Sequence, residues 1–219
     1  MTSVIDLFAG LGGWSTGATM AGCKVLWAAN HWQDAVDWHS ANHPEAIHVC
    51  QDLHQADWSQ VPAHDLLLAS PCCQGHSKAR GKSNGNPQHD ASRSTAWAVV
   101  SALEFHKPPA ALIENVPEFL DWVLFPAWQS AMNALGYQLA PHIVDCADLG
   151  VPQNRIRLFI VCTRSANVHC RSGSLETTPE QVWAAVKVHC RSGSLEKSDK
   201  QASVVNHVHC RSGSLETFE

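Results

Sequence analysis

The sequence has no run of about 18 consecutive apolar residues, the length a membrane-spanning helix needs, so no membrane role is expected. Its first residues, MTSVIDLFAG, lack the basic segment of a secretory signal and pass directly into a strand pattern. Both observations point to a cytoplasmic protein. Charge is scarce at 16% of residues, and basic residues are outnumbered, 15 Lys and Arg against 20 Asp and Glu, for a net charge of −5. A chain with 45% hydrophobic residues and so little charge is not intrinsically disordered, and the shortage of basic residues argues against a surface devoted wholly to phosphate binding. Cysteine, by contrast, is plentiful at nine. Cys72 and Cys73 are adjacent, a poor geometry for a mutual disulfide, and the set reads as free thiols in a reducing compartment. A length of 219 residues suffices for one medium α/β domain with its own core.

Strand and helix patterns alternate over the first 163 residues. Short apolar runs predict strands at Ser3–Phe8, Lys24–Ala29, Ala46–Cys50, Asp65–Ala69, Ala110–Ile113, Tyr137–Cys146 and Ile156–Cys162. Helical spacing predicts helices at Trp14–Ala21, Trp32–Ala41, Ser94–Phe105 and Glu118–Leu135, the last kinked or split at Pro126. Strands separated by helices of this length imply βαβ units, hence a doubly wound, mostly parallel α/β sheet. Ligands of such sheets bind beyond the carboxyl ends of the strands.

After Arg164 the character changes. The block VHCRSGSLE begins at Val168, Val188 and Val208, a period of 20, while the residues between the blocks share almost nothing. Too few apolar residues recur for a stacked solenoid, and one His-Cys pair per period is weak spacing for a metal array, so no metal site is expected. The block resembles a translated CRISPR direct repeat. The residues that follow each block, Thr177, Lys197 and Thr217, have codons that all begin with A. Residues 1–165 are accordingly read as a catalytic domain, and 166–219 as a disordered tail in which a reading frame crosses a repeat array. One codon set shared by all three blocks is the expected gene sequence.

Four segments carry the chemistry. DLFAGLGG at Asp6–Gly13 is a glycine turn between the first strand and a helix, where backbone can approach a ligand closely. SPCCQGHS at Ser70–Ser77 follows the DLLLA strand, Glu114-Asn115-Val116 ends the next, and VPQNRIR at Val151–Arg157 precedes the last. From Pro71 to His89 there is no acidic residue, and Ser77, Lys78, Arg80 and Lys82 fall among glycines and asparagines. A basic, glycine-rich loop directly after a cysteine pair suits a clamp on nucleic-acid phosphates.

In this order the four segments resemble the glycine, Pro-Cys-Gln, Glu-Asn-Val and Gln-x-Arg-x-Arg motifs of the cytosine-5 DNA methyltransferases, over about residues 3–163. The resemblance implies the Rossmann-like sheet of the S-adenosylmethionine-dependent methyltransferases. It implies transfer of a methyl group from that donor to C5 of a cytosine flipped out of double-stranded DNA, through a covalent adduct of an activated thiol. By motif position the thiol is Cys73, followed by Gln74. Cys72 stands where the family usually has proline, and a one-residue slip would make Cys72 the nucleophile instead. Glu114 would hold and protonate cytosine N3, Arg157 would contact O2 and orient Glu114, and Arg155 would support the site. For the donor, the resemblance implies Asp6, Phe8, Gly10, Leu11, Gly12 and Gly13 in the turn, Pro71 beside it, and Asp52 on the adenine amino group. His31 stands where the family commonly has a ribose-binding acid, with Asp34 the alternative, and Trp32 is placed to stack on adenine or to pack in the core.

The family's target-recognition domain and final motif are not visible after Arg164. Several alternatives follow: a truncated enzyme, one chain of a split enzyme whose partner carries target recognition, a non-enzymatic remnant, or a cytosine-5 methyltransferase acting on RNA. The resemblance implies a bacterial, archaeal or phage source.

Overall fold

The computed structural model describes residues 1–72 and 87–164, with backbone alone at 87–94. The expected tail, 166–219, lies outside the described residues, as does Ser165. Seven strands, β1 (Ser3–Leu7), β2 (Lys24–Asn30), β3 (Ile47–Cys50), β4 (Leu66–Ala69), β5 (Ala110–Asn115), β6 (Tyr137–Asp145) and β7 (Ile156–Arg164), form one sheet in the order β3-β2-β1-β4-β5-β7-β6. The first five strands pair in parallel, and β7 runs antiparallel to both β5 and β6. The helices are α1 (Gly13–Met20), α2 (Gln33–Asn42), α3 (Pro87–His106) and α4 (Phe125–Ala134).

The run LLLA in β4 shows why an unbroken apolar segment becomes a central strand. Its four residues are all buried, yet they face alternately: Leu66 and Leu68 join the core that contains Trp14, Ala18 and Phe159, while Leu67 and Ala69 join the core under α3 and α4 with Val99, Leu103 and Trp128. Both faces are covered by helices, so neither set of alternating positions can be polar. Each fully buried leucine contributes on the order of 2 kcal/mol of apolar transfer.

Two proline positions decide local detail. The helix expected over Glu118–Leu135 is two elements, a 3-10 turn at Pro117–Asp121 and then α4, with Pro126 in its first turn. There the missing N–H costs nothing and the fixed φ suits the helix start, so Pro126 begins a helix and kinks none. Pro141 sits within β6, opposite Ile160, and β6 is tolerant of it because it is an edge strand.

At the end of the sheet where β4 begins, His64 and His106 lie against each other with ring centroids 4.7 Å apart. His64 Nδ1 bonds the Pro62 carbonyl at 2.9 Å, and its buried Nε2 has no partner. Burial pushes the His64 pKa from 6.5 down to about 4, with His106 adding to the shift. The folded state therefore favours the neutral ring. The stabilisation is complete above pH 6.5 and is lost as the pH falls through 4, because the unfolded chain takes up the proton first. Between pH 7 and pH 4 the unfolding free energy of the wild type should fall by about 3 kcal/mol relative to His64→Gln. Urea titrations of the two proteins at both pH values measure this, and a constant difference between them would refute it.

Candidate active site

Strand order reverses at β1, whose neighbours are β2 on one side and β4 on the other. Chains leaving the carboxyl ends of β1 and β4 diverge there and open a crevice. The turn after β1 forms one wall and the Ser70–Cys72 segment forms the other.

The turn after β1 is built by residues with left-handed backbone: Phe8 at φ 59°, Gly10 at 54° and Gly12 at 97°. A Cβ on Gly10 would meet nothing within 4 Å, so the space above that residue is open. At Gly12 the same atom would lie 2.8 Å from the His43 ring, so only glycine allows α2 to close on the turn. The end of α2 also ties the turn down, with Asn42 Nδ2 donating to the Leu11 carbonyl at 3.1 Å and His43 Nε2 lying 3.1 Å from Thr16 Oγ1.

Asp6 is fully buried beneath the turn. Its Oδ2 accepts from Ser15 Oγ at 2.7 Å and lies 3.8 Å from His39 Nε2. His39 in turn contacts Ser15 Oγ at 3.0 Å and His48 Nε2 at 2.8 Å. Burial first, and then the neighbouring His39, holds the pKa values of His43 and His48 below the usual range. Asp6 thus supports α1 from within. Its buried Oδ1 has no hydrogen-bond partner among the described residues.

Around the crevice the other expected donor-binding residues are spread along the ends of four strands, β1 to β4. Leu11 and Trp32 are exposed, at 61% and 57%; Trp32 therefore does not pack in the core. Gly13 starts α1. His31 follows β2, and its carbonyl accepts from the Cys50 thiol at 3.7 Å. Asp34 is exposed in the first turn of α2. Asp52 follows β3, is exposed, and uses Oδ1 to accept from the His54 N–H at 3.0 Å. Pro71 is buried.

Glu114 and Arg157, which are 43 positions apart in sequence, meet at the carboxyl edge of β5. Arg157 Nε lies 3.0 Å from Glu114 Oε1, and both side chains are about one-fifth exposed, at 22% and 19%. The antiparallel register, with Glu114 opposite Phe159 and Asn115 opposite Leu158, brings Arg157 to that edge. Arg157 Nη1 also donates to the Ile156 carbonyl at 2.7 Å, which limits where the guanidinium can swing. Arg155 is exposed, and its backbone fastens the preceding turn: its N–H donates to Asp145 Oδ1 at 3.0 Å and its carbonyl accepts from the Cys146 N–H at 2.9 Å. Cys73, Gln74, Ser77, Lys78, Arg80 and Lys82 lie outside the described residues. Among the described residues no cluster of His, Cys, Asp or Glu is placed to hold a metal ion.

Sequence reasoning missed the fasteners of the Ser70–Cys72 wall. Trp14 Nε1 donates to Ser70 Oγ at 2.9 Å, Asn115 Nδ2 to the Pro71 carbonyl at 3.2 Å, and the Cys72 N–H to Thr95 Oγ1 at 2.9 Å. Motif order pointed to Asn115 as a neighbour of Glu114. Nothing local to Trp14 or Thr95 announces such a role.

The sheet order, the antiparallel β7 and the glycine turn after β1 define the class: this is the α/β fold of the S-adenosylmethionine-dependent methyltransferases. Among solved structures it is similar to an Escherichia coli protein described as a DNA modification methyltransferase encoded within a prophage. That match has a TM-score of 0.64 and 27% identity, and covers 75% of this chain and 47% of the other. The Dnmt2 methyltransferase of S. pombe shares the fold with a TM-score of 0.63 at 18% identity, covering 78% of this chain and 53% of that one. The family model of the C-5 cytosine-specific DNA methylases matches residues 2–210, and the chain belongs to that family. Among its curated relatives is the type II methyltransferase M.HaeII of Haemophilus aegyptius, 32% identical over 160 residues, which are 72% of this chain and 49% of the relative. The chain spans about half the length of the curated relatives it matches.

Proposed function

We propose that this chain carries the catalytic half of a DNA (cytosine-5-)-methyltransferase, with Cys73 as nucleophile and S-adenosylmethionine as methyl donor. The observation that carries the reading is the Glu114–Arg157 ion pair, set at a strand end next to the backbone that leads to Cys73.

The crevice fits the donor. Open space over Gly10 admits a ligand against backbone, the exposed Asp52 carries a carboxylate suited to an adenine amino group, and the exposed Trp32 offers a ring to a purine. Phe8, Gly10, Leu11, Gly12, Gly13, His31 and Pro71 would complete the pocket. When bound, the donor supplies a methyl group on a sulfonium, electrophilic enough for an activated cytosine.

Cytosine C5 is too weak a nucleophile to take that methyl unaided. In the proposed reaction the Cys73 thiolate adds to C6, and Glu114 delivers a proton to N3, so that the electron pair released by the addition resides at C5 as an enamine. Arg157 holds the Glu114 carboxyl in place and offers donor N–H groups to the base carbonyl O2. After transfer of the methyl to C5, with the donor leaving as its neutral thioether, loss of the C5 proton to water, return of the N3 proton to Glu114 and re-formation of the C5–C6 double bond would expel Cys73 as thiolate. All of these groups must reach the base from the strand ends, so the base has to leave the DNA stack. Ser77, Lys78, Arg80 and Lys82 are assigned to the DNA phosphates beside it. A free, reducing cytoplasmic setting fits a reaction that needs an unoxidised thiol. Residues 1–165 are proposed as the catalytic unit and 166–219 as the repeat tail.

The test is a covalent trap. With S-adenosylmethionine and duplex DNA containing 5-fluorocytosine, the proton that must leave C5 is replaced by fluorine and the adduct persists. A denaturation-resistant protein–DNA complex supports the reading. Donor binding without any adduct points to a non-enzymatic remnant, and an adduct formed only with fluorinated RNA points to the RNA enzyme.

A further inference from the structure

Three consecutive residues ahead of Cys73 are each fastened from a different element. Ser70 takes a hydrogen bond from Trp14 of α1, Pro71 from Asn115 of β5, and Cys72 gives its backbone N–H to Thr95 Oγ1 of α3. Ser70 is held further by its own N–H, which donates to the Leu7 carbonyl of β1 at 3.1 Å. The third fastener is the unusual one. A proline at position 72 would have no N–H and a fixed φ, and would need no partner from α3. Cys72 has both an N–H and a free φ. Cys72 is half-buried, so its N–H calls for an acceptor, and in this structure Thr95 is that acceptor.

We propose that Thr95 is a positioning residue, and that its hydroxyl oxygen sets the backbone of Cys72 and through it the approach of the next residue, Cys73, to the base. The role rests on the transferase reading above. It follows from the geometry of attack: a nucleophile delivers its full rate only from a narrow range of positions, and the bond to Thr95 fixes the peptide plane that enters Cys72, one residue ahead of the nucleophile. The Cys72 side chain has no part in it. What position 72 must present is a backbone that α3 can hold, or one that holds itself.

The test uses the full chain and two readouts. Hydrogen exchange at the Cys72 amide reports the bond itself. The rate of the 5-fluorocytosine adduct at saturating DNA and donor reports positioning, with the donor dissociation constant measured beside it. Thr95→Val removes the acceptor at almost constant volume. It should speed Cys72 amide exchange and slow adduct formation, each by about tenfold, the scale of one lost hydrogen bond, while donor affinity stays within about twofold. Thr95→Ser keeps the oxygen and should restore both. In a Cys72→Pro background, where no N–H remains, Thr95→Val should have no further effect on the adduct rate. Unchanged Cys72 exchange in Thr95→Val overturns the hydrogen bond. Faster exchange with an unchanged adduct rate, or an equal loss in the Cys72→Pro background, overturns the positioning role. If the wild type forms no adduct, the transferase reading fails and the positioning role fails with it; the exchange arm then decides the hydrogen bond alone.

Discussion

Cys73→Ser should abolish the 5-fluorocytosine adduct and lower any methyl transfer by at least about a thousandfold, the scale on which deleting a nucleophile costs an enzyme. The reason is chemical rather than steric. A thiol is partly thiolate near neutral pH, and a depressed pKa makes more of it available. A serine hydroxyl is several powers of ten less acidic, and without a strong base beside it cannot add to a pyrimidine ring. Cys72→Ser is the matched control. The structure uses Cys72 through its backbone N–H, which donates to Thr95 Oγ1, and serine keeps that group, so its adduct should survive. Gel-shift of denatured protein–DNA complexes separates the two variants. The opposite pattern, an adduct lost in Cys72→Ser and kept in Cys73→Ser, would move the nucleophile by one residue.

Glu114→Gln should cost about a hundredfold or more in methyl transfer, within the range by which positioned acid–base groups and charge-stabilising donors contribute. Glutamine has nearly the same shape, so β5 and its register with β7 should be unaffected. It has no proton to give at neutral pH and no charge to offer Arg157. The substitution also leaves the guanidinium, only 22% exposed at its side chain, without its carboxylate. Removing one member of a partly buried pair is costly because the other remains charged. The loss should therefore appear in the rate of adduct formation at saturating DNA and only weakly in donor binding, for which the proposed residues follow β1 to β4 and do not include Glu114. Rapid-quench kinetics with equilibrium donor titration distinguish the two. A variant with normal adduct kinetics would remove Glu114 from the chemistry and leave it a structural partner of Arg157.

Much of the fold was legible because its determinants are local. Every one of the seven strands was marked by an apolar run, and the glycine turn by DLFAGLGG, since backbone at positive φ demands glycine at Gly10 and Gly12. Boundaries moved by a few residues. The one reinterpretation, at Pro126, came from a competition that spacing alone does not resolve: proline breaks a helix interior but favours a first turn. Asp6 illustrates a different limit. It lies within the glycine motif, where the resemblance implies a donor contact, and the sequence does not say which face of β1 carries its side chain. The pleat of β1 turns its side chain inward to Ser15 and His39, and that choice of face depends on which helices cover the strand.

By itself, then, the sequence determined the order of elements, the α/β class and the four motifs, because apolar periodicity, turn chemistry and reactive residue types are properties of short segments. Only the tertiary structure decided that Glu114 and Arg157 touch, because that contact depends on β7 entering the sheet antiparallel beside β5 in one particular register. It alone decided that Trp14, Asn115 and Thr95 converge on the three residues ahead of Cys73. Those partners come from three different elements, and no local pattern records a contact that exists only once the strands have paired and the helices have closed over them.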